Sequence, residues 1–146
     1  MIIKEEVEDF FNRYASTMNN ALFGDPVDEN CFLDFFSSYV VGANPAGVFG
    51  GKNDMDFGKS IKSGIDFYKR IGVISMNIIA KDVEILDEYH SKARISWECI
   101  YNKEKKSGEI AFDVVYLVQV KNHTVKIFAY VTGDEQKALR EHELIP

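Results

Sequence analysis

At 146 residues, 46% of them apolar and 27% charged, the chain has the size and composition of one soluble globular domain able to bury about two thirds of its unfolded surface. The net charge of −6 argues against a nucleic-acid or anionic-membrane partner, since neither surface would attract it. The 11 Phe, 7 Tyr and single Trp could build a thick core or wall an apolar cavity, and composition does not separate the two.

The opening MIIKEEVEDFF lacks the basic and apolar regions of an export signal, and no apolar run reaches the ~18 residues of a spanning helix. From Lys4 to Phe23, Val7, Phe10, Phe11, Tyr14, Met18, Ala21 and Leu22 recur at spacings of three and four. They trace one face of a helix that Gly24, Asp25 and Pro26 end. A short second helix is expected from Asp28 to Phe36, with Cys31, Phe32, Phe35 and Phe36 inward. Ser38 to Val41 reads as extended, and the glycine cluster after it as a turn into a third helix, Asp54 to Ile71. Asp54 would cap that helix and Gly72 stop it.

The second half reads as strands. Val73 to Leu86 alternates first through Ile74, Met76, Ile78 and Ala80, then through Val83 and Ile85, and the parity change suggests a bulge near Lys81 and Asp82. Ala93, Ile95, Trp97, Cys99 and Tyr101 give the clearest period-two signal and place Trp97 inward. Glu109 to Val120 and Val125 to Thr132 complete a meander, with NKEKKSGE as a solvated hairpin tip. Thr132 and Glu135 have the spacing of a capping box for a short closing helix. Nothing in the pattern marks a linker, so residues 1–146 read as one domain. The architecture is α+β, a cone-shaped curved antiparallel sheet of four to five strands packed on three N-terminal helices. The last two strands carry apolar residues at both parities, which points to a homodimer through the outer face of the sheet.

Several chemistries fail on spacing. Before Gly51-Lys52 a phosphate loop would need glycine where Ala46 stands, and serine or threonine where Asn53 follows. His90, His123 and His142 lie apart, and Cys31 and Cys99 have no CxxC partner, so neither a metal site nor a cofactor is expected. Two thiols without a disulfide framework suit a reduced, cytoplasmic protein. No GxSxG elbow is present, and Cys99 is expected in the core.

A helix with FFNRY, a short helix with FLDFF, an extended segment reaching GANP, a long helix and a run of strands together resemble the nuclear transport factor 2-like superfamily. Ketosteroid isomerase and the SnoaL-like cyclases belong to it, and the ending YVTGDEQKALREHELIP is similar to the tail of its uncharacterised members. The resemblance implies a pocket between helices and sheet. By the isomerase pattern, Tyr14 after Arg13 would be the oxyanion-hole tyrosine and Asp113 the protonated aspartate. The general-base aspartate before proline appears here as Asn44-Pro45, and a carboxamide cannot accept a proton at neutral pH. An enzyme would therefore need another base, such as Asp34 or Asp66. The leading expectation is binding of a small, largely apolar molecule by Tyr14, Asn44, Tyr68, Trp97 and Tyr101. An isomerase-, cyclase- or dehydratase-like enzyme, with Tyr14 and Asp113 catalytic, and a structural homodimerisation module are the alternatives.

Overall fold

The computed structural model describes residues 4–24 and 32–146. Its elements are α1 (Lys4–Leu22), the hairpin β1 (Phe36–Asn44) and β2 (Gly47–Lys52), then α2 (Met55–Arg70). Four strands follow, β3 (Val73–Ile85), β4 (His90–Lys103), β5 (Lys106–Lys121) and β6 (Thr124–Thr132), and α3 (Glu135–Glu141) closes the chain. The first part of the expected second helix, residues 28–31 with Cys31 among them, lies outside the described residues. Of its described residues, Phe32 and Leu33 are helical, but Asp34 and Phe35 form a turn and Phe36 already begins β1, so the helix does not reach Phe36 as expected.

The α+β class holds, but the sheet differs from the expected cone of four to five strands. It has six strands in the order β2-β1-β6-β5-β4-β3, open at both edges. The added strand is β2. GVFGGK offers no apolar alternation, so its glycines read as a turn, yet it pairs antiparallel with β1 from Tyr39↔Lys52 to Asn44↔Gly47. The turn is Pro45-Ala46, and Asn44 stabilises it by accepting the Ala46 N–H at 2.8 Å on Oδ1. β1 then runs parallel to β6, a pairing between segments far apart in sequence. Three helices followed by a plain meander is thus also corrected, because the hairpin comes before α2.

α2 follows its signals closely. The Asp54 side chain accepts from the N–H groups of Asp56 and Phe57, and Gly72, at φ 97°, ends it. A Cβ at Gly72 would sit 2.8 Å from the Asn102 carbonyl oxygen, so the stop also lets the chain pass close beneath β4. β3 carries two irregularities, between Val73 and Ser75 and between Ile78 and Ala80, rather than one near Lys81. The first puts Val73 inward and leaves Ile74 half exposed, at 48%.

One face of the sheet carries Ala93, Ile95, Trp97 and Cys99 of β4 beside Val114, Tyr116, Val118 and Val120 of β5, all buried. α1 buries Val7, Phe10, Phe11, Ala21 and Leu22 over this face and packs chiefly on β3. Asn19 fastens it there, since its side-chain N–H donates to the Met76 carbonyl at 2.9 Å and its Oδ1 accepts the Met76 N–H at 2.7 Å. A helix side chain thereby satisfies backbone groups of an edge strand that has no neighbour on that side.

Candidate functional site

The helices do not cover the inner face completely. Between α1, α2 and the strands lies a cavity of about 280 Å³, walled largely by apolar and aromatic side chains. α2 supplies Phe57, Ile61, Gly64, Ile65 and Tyr68, the positions that its helical spacing aligns on one face. α1 contributes Tyr14 and Met18; the strands contribute Phe36, Met76, Trp97, Phe112, Val114, Tyr116, Tyr130 and Thr132.

The structure brings three of the expected residues together here. Tyr14 is ringed by aromatics, with Phe35 edge-on at 5.2 Å and Trp97 at 6.0 Å. The Trp97 indole donates to the Tyr116 hydroxyl at 3.2 Å. Tyr68 reaches the far wall and donates its hydroxyl proton to Glu135 Oε1. Burial raises the pKa of all four cavity phenols, Tyr14, Tyr68, Tyr116 and Tyr130. For Tyr68 the neighbouring Glu135 charge adds to the effect.

Three others lie elsewhere. Asn44 is exposed at the hairpin tip and occupied with the turn. Tyr101 is buried, but its hydroxyl meets His142 Nδ1 at 3.2 Å, and it is not part of the cavity wall. Asp113 has the opposite parity from the inward residues of β5. It is about half exposed and pairs with Arg94 Nη1 at 3.5 Å, on the wall of a smaller cavity of about 100 Å³. Asp34 and Asp66, the substitute bases, are both exposed and outside the main cavity.

The residue that sequence reasoning missed is Glu135. Its spacing from Thr132 suggested a capping box, but Thr132 ends β6 and Asp134 caps α3, accepting the Lys137 N–H at 2.9 Å. Glu135 is therefore free of capping and stands in the cavity wall beside Tyr68. Burial raises its carboxyl above the usual range, and the Tyr68 hydrogen bond offsets part of that rise. The available signal was the strand parity before it, since Tyr130 and Thr132 already point to the cavity.

Gly42 has a specific task. A Cβ there would lie 2.5 Å from the Tyr130 ring, so only glycine lets that ring lie against β1. Tyr130, Phe57 and Ser60 line both the main cavity and an outer vestibule whose wall includes Gly50, Gly51 and Lys52. The glycine cluster thus borders the approach to the cavity. Cys99 is buried and its thiol is pushed up to about 12, chiefly by burial and then by the Glu135 charge, which makes it a poor nucleophile. Among the described residues no group of three or more His, Cys, Asp or Glu is placed to hold a metal ion. Nor is any described helix long and apolar enough to cross a membrane.

A six-stranded open sheet with helices on one face and a cavity between the layers defines the NTF2-like, cystatin-like class of α+β folds. The chain belongs to the family described as NTF2-like protein (DUF6841), whose model matches residues 4–135. Solved structures agree on the fold. An NTF2-like protein of unknown function from Shewanella oneidensis superposes with a TM-score of 0.66 at 10% identity, covering 90% of this chain and 98% of that one. An NTF2-like protein with a cystatin-like fold from Novosphingobium aromaticivorans gives 0.66 at 12%, covering 96% and 88%. A putative polyketide cyclase from Xanthomonas campestris gives 0.56 at 12%, covering 91% and 93%. No curated protein sequence matches the chain significantly.

The buried phenols yield a pH prediction. In the unfolded chain tyrosine ionises near ~10, whereas Tyr14, Tyr68 and Tyr116 keep their protons longer when folded. Above that pH the native state binds more protons than the unfolded one, so stability is full below about pH 10 and falls as pH rises beyond it. Absorbance titration of phenolate should show these tyrosines ionising only as the protein unfolds. Complete titration in the ordinary phenol range with the fold intact would contradict the burial described.

Proposed function

We propose that the chain acts as one NTF2-like domain that binds a small, largely apolar molecule in the cavity between α1, α2 and the sheet. Tyr14, Tyr68 and Trp97 contact it there. The observation that carries this reading is the cavity itself, an aromatic-walled space of about 280 Å³ with one carboxylate among the described residues of its wall. Ligand pockets commonly start near ~300 Å³, so the occupant is small. An apolar cavity of about 150 Å³ already accommodates benzene, so one ring with a short side chain fits. Phe36, Phe57 and Phe112 line this space rather than fill it, which favours binding over a purely structural role.

Gly64 offers a clean test, because a Cβ there meets nothing within 4 Å and the residue lies on the cavity wall. Gly64→Phe should therefore fill the cavity without strain in α2. Titration with 2-phenylethanol, followed by the emission of Trp97 and by calorimetry, should saturate with the unaltered protein and not with Gly64→Phe. Equal behaviour of the two proteins would sink the reading.

An enzymatic second reading is favoured by one observation, the Glu135 carboxyl with its raised pKa in an apolar cavity. It would supply the base missing at Asn44, for proton abstraction beside a carbonyl. Deuterium wash-in from heavy water to the carbon next to the carbonyl of phenylacetone, followed by NMR, should then be accelerated by roughly 10²-fold or more over Glu135→Gln. Equal rates would remove the enzymatic reading.

We also propose a homodimer through the outer face of the sheet. Apolar residues of that face fall into adjoining rows by register, Val48–Ala43–Val131–Val115 and Val41–Ala129–Leu117. Val48 and Val131 are 73% and 53% exposed. Part of the double-parity pattern in β6 has a simpler cause, a bulge that shifts register after Ile127. Sedimentation at micromolar concentration should give twice the 16.6 kDa chain mass, and Val131→Lys should halve it. A monomeric mass for the unaltered protein would exclude this interface.

A further inference from the structure

The charge pattern of the cavity narrows the ligand further than its size does. Among the described residues its wall holds one carboxylate, Glu135, and no lysine, arginine or histidine. The vestibule that shares Phe57, Ser60 and Tyr130 with it adds, among the described residues, the cation Lys52 against Asp54 and Asp56. The smaller cavity that shares Phe112, Thr132 and Glu135 adds Asp134 and Asp113 and, among the described residues, no cation, with Asp113 paired to Arg94. Inside the cavity an anionic ligand would thus meet a like charge and, among the described residues, find no counter-charge.

The rings act in the same direction. Tyr14, Trp97, Tyr116 and Tyr130 line the space, and the faces of such rings attract cations through their quadrupoles. A wholly apolar ligand would expel water from Glu135 and leave the Tyr68 hydroxyl as its partner. A ligand with its own charged donor would replace the lost water and gain an ion pair in a low-dielectric site.

We infer that the cavity takes a small molecule with one aromatic ring and a short chain ending in a protonated amine, the ammonium lying beside the Glu135 carboxylate. The inference rests on the binding reading and deepens it by naming the ligand class. Negative potential across the vestibule, on a chain of net charge −6, draws such a cation toward the cavity.

Three near-isosteric probes test it at neutral pH and moderate salt: 2-phenylethylamine, 2-phenylethanol and 3-phenylpropionate, each titrated by calorimetry. The amine should bind at least tenfold more tightly than the alcohol, and the acid more weakly than either. An advantage of the amine below tenfold, or an acid that binds as well as the alcohol, overturns the inference while leaving the binding reading standing. Saturation by none of the three overturns both. Glu135→Gln keeps the shape of the side chain, and its binding of 2-phenylethanol reports that the cavity is intact. In that variant the preference for the amine should fall to threefold or less, and its persistence would overturn the role given to Glu135. Should the variant fail to fold, the ranking on the unaltered protein decides alone.

Discussion

The contact on which most of this structure depends is made by one side chain, Tyr116. Its ring packs against Phe11 of α1 at 4.7 Å, and its hydroxyl accepts the Trp97 indole proton across the β4–β5 pair. A buried indole needs a hydrogen-bond partner, and a buried phenol is costly without one, so each satisfies the other. The pair holds two large rings in fixed positions beneath α1. With those positions fixed, α1 cannot sink deeper onto the strands. The space toward α2 stays open as the cavity.

Two glycines and one asparagine set the outline of that space from a distance. Gly42 lets the Tyr130 ring lie against β1, at the junction of cavity and vestibule. Gly64 leaves room in the wall where any larger side chain on the same helical face would project. Asn53 donates to the carbonyls of Leu33 and Phe36 at 2.8 and 3.1 Å, tying the exit of β2 to the start of β1 and so holding the vestibule wall in register. None of the three touches chemistry directly. Each decides where an aromatic ring or a strand can go.

Legibility in the sequence followed the range of the physics involved. β4 was readable because strict alternation from Ala93 to Tyr101 is a local consequence of burying one sheet face, and the structure buries each of those alternate residues. The face of α2 was readable for the same reason, and Tyr68 follows from it. β2 was not, since its partner β1 supplies the pairing while its own glycines look like a turn. The parallel β1–β6 pairing joins segments with no local pattern to announce it. The bulges of β3 and β6 change parity by one residue, which sequence can suggest but not place. In β3 the shift sits between Ile78 and Ala80 instead of at Lys81, and the one after Ile127 in β6 imitates a second buried face.

Glu135 shows how a local rule can hide a cavity residue. Its spacing from Thr132 satisfies a capping box, and such boxes are usually what they look like. Here β6 continues through Thr132, so the helix starts later and Asp134 takes the cap. The carboxylate displaced from capping faces an apolar wall, where ionisation is costly unless something compensates. Tyr68 compensates in part, and its own phenol is pushed further from ionisation by the arrangement. A carboxylate kept in such a place at such a cost, with the Tyr68 hydroxyl as its side-chain donor among the described residues, is complementary to a donor from outside. The isomerase-like outline places its base at the end of the first extended segment, where this chain has Asn44 closing an exposed turn. The carboxylate described in the cavity wall, Glu135, comes instead from the start of α3. The outline is shared, but the chemistry available inside it is this chain's own.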